Sequence, residues 1–321
     1  MRLSPEFRVA RAEARRLAEE RLATFYAAVR QDMRRWRLTS RQTRFLLRTE
    51  RKPLVGRALF ANVRVRRTAQ YALIDAMLMN FEKYPRRQLH WITVCIDDGV
   101  TWEREPALEV GAFVNKVQDH LRRAGFDGVG AVEIDIWKNL TGEPGRRMVA
   151  HVHFVGWSSA GLPMNSNAIA KSLSAKAALS NSTGAKSVVI KDVSMTARSI
   201  AHLGYYMLKA PAWAKNPIGA PGKRKMYDAS HAQGSPARLF EMLSHLELGD
   251  VLFSIGTGRS IAKRVRAAVV RQTAVGTRHG FQAPGDAEVS RFWSDIRCSN
   301  GSRRFMPPKI ITRALRRPRA K

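Results

Sequence analysis

The alternation of hydrophobic and polar positions is clearest in the middle of the chain, between residues 90 and 212. Four segments there are rich in β-branched and aromatic residues, and VGAVEIDIWK alternates apolar and acidic positions like a half-buried strand. The predicted strands are residues 90–96, 129–138, 147–157 and 187–193. Between and after them, apolar residues recur with helical spacing. The predicted helices are residues 106–124, 165–179 and 194–209.

The order of these elements is β-α-β-β-α-β-α, which is typical of an α+β fold. We therefore expect a central antiparallel sheet of about five strands, backed by helices. The outer regions have mainly helical patterns, and the longest predicted helix covers residues 5–35. The chain is thus expected to divide into a basic helical region (1–89), a sheet-containing domain (90–212) and a basic C-terminal region with a flexible tail (213–321).

The charge of the chain is strongly positive and is concentrated in its outer regions. The 321 residues include 56 Lys and Arg against 26 Asp and Glu, a net charge of +30. Residues 1–89 hold 22 basic and 8 acidic residues, and residues 213–321 hold 21 and 7. The middle region, 90–212, holds 13 and 11 and is nearly neutral. An excess of this size predicts a polyanionic partner such as nucleic acid.

The composition argues against several other classes of protein. With 45% hydrophobic residues the chain is expected to be globular rather than disordered. It has no apolar run of about 18 residues, so no membrane span is expected. Its N-terminal segment lacks the apolar stretch of a secretory signal. Cys95 and Cys298 are too few for a disulfide framework or a cysteine-rich zinc site, so a cytoplasmic location is expected.

His151 and His153 lie on either side of Val152 within a predicted strand. Because side chains alternate between the faces of a strand, both imidazoles point to one face, about 7 Å apart along the chain. At this spacing they can share a metal ion. A His-x-His pair alone is a weak signal, because a chain with 8 histidines can contain one by chance. The assignment therefore depends on a third ligand.

The third ligand is expected from the neighbouring strand. If the strands before and after Gly142 form a hairpin with its turn centred there, Glu133 lies opposite His151 and is the predicted third ligand. Asp135 or Glu143 would take this position if the register of the hairpin differs. The alternative to a metal site is a surface cluster of acidic and basic side chains across the two strands.

The predicted helix 194–209 carries a second group of reactive side chains. At 100° per residue, His202, Tyr206 and Lys209 fall on one face within about 60°. Tyr205 points about 100° away from Tyr206. A phenolate nucleophile, a divalent ion and a lysine that stabilises developing charge are used together in phosphoryl transfer. Tyr206 alone would more often be a packing or interface residue, and it becomes a candidate nucleophile only beside the histidine pair.

The segments HWITVCID, HVH and YYMLK follow one another in the order of three motifs of a known family. The chain resembles the HUH-type rolling-circle replication initiators, the Rep endonucleases of plasmids and phages, over residues 90–210. In that family the His-hydrophobic-His motif holds Mg²⁺ or Mn²⁺, and His151 and His153 match it. The first motif departs from the usual Thr-Leu-Thr pattern, with Thr93 as its clear counterpart.

The third motif of that family is Tyr-x-x-Lys, and Tyr206 and Lys209 match its spacing. Some members have two tyrosines, so Tyr205 is a second candidate. The resemblance implies that Tyr206 attacks single-stranded origin DNA, exposed in a hairpin or melted site, and forms a 5′-phosphotyrosine and a 3′-OH primer. It also implies a host helicase and polymerase as partners, since the chain has no Walker-type GxxxxGK[ST] motif.

Two other functions remain open at this point. A relaxase or a single-strand transposase uses the same chemistry to transfer DNA. Relaxases usually have three clustered histidines and a tyrosine that precedes them, whereas Tyr206 follows His153, which favours a replication initiator or a transposase-like relative. A non-catalytic nucleic-acid-binding protein would account for the charge but not for the histidine pair or for the tyrosine and lysine.

Overall fold

The structure is a computed structural model, and it describes residues 4–35, 38–52, 54–140, 145–218, 225–275, 281–299 and 308–310. Glu143, the alternative third ligand, and most of the basic tail expected at the C-terminus lie outside the described residues. None of the described helices is both long enough and apolar enough to cross a membrane.

The described chain alternates between helices and short or long strands. The helices are α1 (Pro5–Arg35), α2 (Ser40–Arg51), α3 (Val63–Lys83), α4 (Val110–Arg123), α5 (Ser166–Ser174), α6 (Ala197–Met207), α7 (Ser235–Ser244), α8 (Leu248–Val251), α9 (Arg259–Val275) and α10 (Asp286–Ser299). The strands are β1 (Leu54–Val55), β2 (His90–Val94), β3 (Val100–Trp102), β4 (Ala107–Leu108), β5 (Phe126–Lys138), β6 (Arg146–Ser158), β7 (Val188–Asp192), β8 (Ala214–Ile218), β9 (Lys225–Ala229), β10 (Leu252–Ile255), β11 (Phe281–Gln282) and β12 (Lys309–Ile310).

Eight of the described strands form one sheet, with the order β7-β2-β6-β5-β8-β9. Strand β3 also pairs with β6, and β10 also pairs with β5. Neighbouring strands are antiparallel except β5 and β8, which are parallel. The α+β class is therefore confirmed. The sheet is larger than the expected five strands, and it is mixed rather than purely antiparallel.

Three strands of the sheet lie beyond the expected domain boundary at residue 212. These strands are β8, β9 and β10, and two of them pair directly with the central strand β5. Their short length and weak alternation gave little sign of a strand in the sequence. The sheet therefore extends past the 90–212 region, and the C-terminal region contributes to it.

The basic outer regions pack on the same core as the sheet. Helix α1, which confirms the prediction for residues 5–35, buries small residues Ala10, Ala14 and Ala18 at a spacing of four and contacts α3, α6 and α7. Helix α3 contacts α6 and α9. One continuous hydrophobic core joins these helices to the sheet. Arginines on the inner sides of α1 and α3 therefore lie close to the residues that follow α6.

Helix α6 is shorter than the predicted segment 194–209. Its N-cap is Thr196, whose hydroxyl accepts a hydrogen bond from the backbone N–H three residues further on, so the helix begins three residues later than predicted. The helix ends at Met207. Lys209 therefore lies beyond the helix, and the prediction that it shares a helical face with Tyr206 is wrong. Its side chain still reaches the ring of Tyr206.

Gly204 allows α6 to lie directly against α3. A Cβ atom at this position would be 2.8 Å from the Cα atom of Ile74, closer than a side chain can approach. A residue without a side chain is therefore required where the two helix backbones meet. This contact fixes α6, and with it Tyr205 and Tyr206, relative to the layer of helices.

Candidate metal centre and tyrosine

The β5–β6 hairpin brings together the residues that the sequence predicts as metal ligands. Glu133 pairs with His151 across the two strands, so the expected register is confirmed. His153 lies two residues further along β6 and points to the same face. Asp135 pairs with Val149 instead, so the register in which Asp135 would face His151 is absent.

The ligand atoms of Glu133, His151 and His153 form a small triangle. Oε2 of Glu133 is 2.9 Å from Nε2 of His153 and 3.2 Å from Nε2 of His151, and the two Nε2 atoms are 3.1 Å apart. All three side chains are buried. An octahedral ion with bonds of about 2.1 Å needs neighbouring ligand atoms about 3.0 Å apart. The triangle therefore fits one face of such a coordination shell.

Hydrogen bonds alone do not account for this triangle. A carboxylate only accepts, so each imidazole would have to donate its Nε2–H to Glu133. The two N–H groups would then oppose each other across 3.1 Å. A cation removes the conflict, because all three atoms can direct lone pairs at it. Glu133, His151 and His153 thus form a buried group that could hold a metal ion.

The other ring nitrogens of the two histidines are held in place. Nδ1 of His153 is 3.2 Å from Oγ1 of Thr93 on β2, and Nδ1 of His151 is 3.5 Å from the carbonyl oxygen of Val149. Contacts of this kind fix the ring and leave Nε2 free for a metal. Burial, together with the nearby Lys209, lowers the pKa of His153 to about 3, so its imidazole is neutral near pH 7.

Lys209 reaches the ligand group from the turn after α6. Its buried ammonium group forms an ion pair with Oε2 of Glu133. Burial alone would raise the pKa of the Glu133 carboxyl, but the Lys209 ammonium holds this pKa well below its usual range. Glu133 therefore stays ionised, as a metal ligand must.

Tyr206 lies beside the ligand group and is half-buried. The centre of its ring is 5.2 Å from that of His153 and 5.6 Å from that of Trp91. Nζ of Lys209 is 3.8 Å from the centre of the ring. Burial, with the negative charge of Glu133, raises the pKa of Tyr206 to about 12. The phenol is therefore protonated near neutral pH.

Tyr205 points away from the ligand group, as the helical spacing predicts. Its side chain is buried in the main hydrophobic core. Its ring contacts are with His202, at 5.3 Å between centres, and with Tyr206, at 6.4 Å. The exposed His202 stacks on Tyr206 at 6.0 Å, so their expected common face is confirmed. The two tyrosines thus occupy different environments, and Tyr206 is the one next to His153.

Trp91 is a site residue that the motif analysis missed. Its ring stacks on that of His153, with 4.8 Å between centres and 24° between planes, and it meets Tyr206 edge-on. It precedes Thr93 by two positions on β2, so both side chains point to the same face as His153. The period-two pattern of β2 could have identified it, because it shares a face with the residue matched to the first motif.

The turn that carries Lys209 is held by three side chains from distant parts of the chain. Nη1 of Arg66 on α3 donates to the carbonyl oxygen of Lys209 at 3.2 Å. Nε of Arg21 on α1 donates to the carbonyl oxygen of Ala210 at 2.8 Å, and Nε2 of His231 lies 2.8 Å from that of Pro211. Donors at these carbonyls satisfy the end of α6 and fix the direction of the Lys209 side chain.

Asp135 is a second buried acid on the face of Glu133. It is fully buried, and neither of its carboxylate oxygens has a hydrogen-bond partner within the described part of the chain. Burial and the neighbouring Glu133 raise the pKa of Asp135 to about 6. A buried, unpaired carboxylate costs stability, which indicates that this position is kept for the site rather than for the fold.

Comparisons of this chain with protein-family models, with curated proteins and with solved structures found no match. The function of the site therefore has to be inferred from its own residues and geometry. These define a buried carboxylate–imidazole group suited to a metal ion, with a lysine and a half-buried tyrosine in contact with it.

Proposed function

We propose that this chain is a metal-dependent enzyme that nicks and rejoins single-stranded DNA, with Tyr206 as its nucleophile. One observation carries the proposal: the ring of Tyr206 lies against both His153, a member of the Glu133–His151–His153 group, and the ammonium group of Lys209. A purely structural role for these side chains would not require a tyrosine, a lysine and three metal-ligand types to meet at one buried point.

The residues would divide the chemistry among themselves. His151, His153 and Glu133 would hold Mg²⁺ or Mn²⁺, and a bound ion of this kind polarises a phosphoryl oxygen. The hydroxyl oxygen of Tyr206 attacks phosphorus, the bond to the 3′ oxygen breaks, and that oxygen takes up a proton to become a 3′-OH. The DNA 5′ end remains as a phosphotyrosine. Lys209 would stabilise the charge that develops on the phosphoryl oxygens.

The proton of Tyr206 has to leave as the new bond forms. With its pKa raised to about 12, the phenol is almost fully protonated at pH 7. The buried carboxylate of Asp135, whose pKa is raised to about 6, lies on the same face of the sheet as Glu133 and is the candidate acceptor. The covalent step conserves the energy of the phosphoester bond, so the enzyme can rejoin the strand by the reverse reaction.

The charge distribution supports a long nucleic-acid partner. Basic residues dominate regions 1–89 and 213–321, while the region of the site is nearly neutral. Phosphate contacts from the outer regions would provide affinity, and the site would select the phosphate that is cut. The charge distribution and the order of the three motifs together favour the initiation of rolling-circle replication on a plasmid or phage. There the 3′-OH would prime synthesis by a host polymerase, while a host helicase unwinds the duplex.

Incubation of the protein with labelled single-stranded DNA and Mn²⁺ tests the proposal. We expect a covalent protein–DNA adduct and a free 3′-OH fragment, both of which disappear when EDTA replaces Mn²⁺. Binding without any cleavage, with strands from many origins and with either Mg²⁺ or Mn²⁺, would instead indicate a non-catalytic nucleic-acid-binding protein. A relaxase or transposase would leave the same 3′-OH, so the products on a supercoiled plasmid separate the classes: continued strand-displacement synthesis with a helicase and polymerase indicates a replication initiator, and joining of the 5′ end to a second DNA molecule indicates a transfer enzyme.

A further inference from the structure

A second concave surface lies at the end of the sheet where β2 begins and β6 ends. It is a cleft of about 330 Å³, within the size range of small-molecule sites. Its walls include the basic residues Arg86 and Arg87, the aromatic ring of Trp157 and the apolar side chains of Leu162 and Met164. Leu162 is 68% exposed, so its side chain is accessible to a ligand in the cleft.

Within the described part of the chain, the cleft is lined by two guanidinium groups and one carboxylate, so it keeps a net positive charge. Arg86 is exposed and forms no ion pair there, and the guanidinium group of Arg87 lies over the rings of Tyr84 and Trp157, 4.2 and 4.8 Å from their centres. The carboxylate in the cleft, Asp127, already accepts two hydrogen bonds from Thr257. The cleft therefore presents two cationic groups to an anion.

Both walls of the cleft are preformed. On one side, the backbone N–H of Arg87 donates to the carbonyl oxygen of Tyr84 at 3.1 Å, which closes a turn around Pro85. On the other side, Oγ of Ser158 accepts from the N–H of Leu162 at 3.1 Å. Gly161 in that loop has φ of 71°, a conformation that favours glycine. Little ordering is therefore needed when a ligand binds.

The cleft is aligned with the metal group along one strand. Trp157 follows His153 by four positions on β6, so both side chains point to the same face, about 13 Å apart along the strand. Trp157 is 2% exposed, and Val155, between it and His153, is fully buried, so a strand cannot lie along β6 itself. The half-buried Trp91 of β2 and the exposed Lys191 of β7 pair on the same face, at the side by which a strand held at His153 can reach the cleft. There the paired arginines can contact its phosphate and the apolar wall its base.

We propose that this cleft binds one nucleotide of the DNA strand that is cut at Tyr206, with its phosphate at Arg86 and Arg87 and its base against Leu162 and Met164. The inference rests on the proposed function for the identity of the strand. The cleft then acts as a second point of attachment that sets which phosphate reaches the metal group.

The test measures binding rather than cleavage. The affinities of fluorescently labelled single strands of about 4 to 16 nucleotides, a range of site sizes for such proteins, are measured by anisotropy with Mn²⁺ in a Tyr206→Phe background, which keeps the metal ligands and cannot form the covalent link. With Arg86 and Arg87 intact, we expect affinity to rise at the length that spans from the metal group to the cleft. The double variant R86Q/R87Q should lose this rise, and its log–log salt dependence on long strands should fall by about 0.7 for each lost phosphate contact.

Two further variants control for general effects. Leu162→Asp places a negative charge at the exposed edge of the cleft. It should weaken the binding of long strands but not of short ones, and it should leave Tm unchanged. Arg271→Gln removes an exposed charge of α9 outside the cleft. An equal loss of affinity in Arg271→Gln and R86Q/R87Q, or wild-type binding of long strands by R86Q/R87Q, would overturn the proposal.

The outcome is independent of the proposed nicking reaction. If the wild-type protein forms no covalent adduct but R86Q/R87Q loses the length-dependent rise, the cleft is a nucleotide site and the nicking proposal fails. If the protein nicks DNA and R86Q/R87Q binds every length like the wild type, the cleft proposal fails and the nicking proposal stands.

Discussion

The ammonium group of Lys209 forms an ion pair with the same carboxylate oxygen of Glu133 that faces both His151 and His153. Lysine and a metal ion therefore compete for the negative charge of one buried atom. The arrangement keeps the ligand group stable without an ion, and it places a cation next to Tyr206.

Replacing Lys209 with Met should separate stability, metal affinity and activity. Breaking a buried ion pair leaves Glu133 uncompensated, and we expect the free energy of unfolding in EDTA to fall by about 3–5 kcal/mol. Affinity for Mn²⁺ should rise, because the competing charge is gone, and Mn²⁺ should raise Tm more than in the wild type. Nicking should decrease. Weaker Mn²⁺ binding by Lys209→Met in calorimetry would contradict competition at Glu133.

Removing either imidazole should abolish metal binding and nicking while DNA affinity stays nearly intact. His151→Ala and His153→Ala each remove one ligand from a buried group, whereas most basic residues lie in the outer regions. Calorimetry with Mn²⁺ and anisotropy with single-stranded DNA measure the two properties separately. His120→Ala, in α4 away from the group, is the matched control. The assigned roles are wrong if DNA binding falls as far as nicking.

Asp135 should make the protein less stable at neutral pH than at acidic pH. Its folded-state pKa of about 6 lies above the ordinary value of 3.8, so the folded protein holds the proton more tightly than the unfolded chain. The stabilisation from that proton is present below pH 3.8 and is lost as pH rises to 6. This difference in pKa between the folded and unfolded states corresponds to a free energy on the order of 3 kcal/mol.

Asp135→Asn should therefore raise the free energy of unfolding at pH 8 in EDTA, and its advantage over the wild type should shrink towards pH 4. Urea unfolding at both pH values measures the difference. Asp127→Asn, at a carboxylate that already accepts two hydrogen bonds from Thr257, should show no such gain. An Asp135→Asn variant that is less stable than the wild type at pH 8 would show that the carboxylate has a partner in solution.

The pairing of Glu133 with His151 could be predicted from the sequence for a simple geometric reason. In an antiparallel hairpin the turn position alone decides which residues face each other, and alternation then assigns the face of His153. The separation of Tyr206 from Tyr205 followed from the fixed rotation per residue of a helix. Local geometry of one hairpin and one helix was therefore enough to place the ligands and the tyrosine.

The remaining features depend on contacts between distant residues, which periodicity does not encode. Lys209 reaches Glu133 from a turn after α6 that is held by distant side chains, among them Arg66, 143 positions earlier in the chain. The strands β8 and β10 join β5 through pairings whose register no local pattern specifies. Their addition is what makes the sheet larger than expected and joins the C-terminal region to it.

Arg66 should act on the reaction through the position of Lys209. It is buried, and it donates to the carbonyl oxygens of both Lys209 and Phe60. Arg66→Met should lower the nicking rate at saturating DNA and Mn²⁺, with KM for DNA nearly unchanged, and Arg66→Lys should restore part of it. The Tm of each variant is measured as well, so that a loss of rate caused by lower stability can be recognised. Equal loss of rate in both variants at matched Tm would argue against a positioning role.

The identity of the nucleophile is the central claim. After reaction with single-stranded DNA and Mn²⁺, digestion of the covalent adduct with nuclease and protease leaves a peptide that carries a nucleotide, and mass spectrometry locates the modified residue. The structure places Tyr206 beside His153 and buries Tyr205 in the core. We expect the nucleotide on Tyr206, no adduct from Tyr206→Phe, and a normal adduct from Tyr205→Phe. A nucleotide on Tyr205, with Tyr206→Phe still active, would contradict the account.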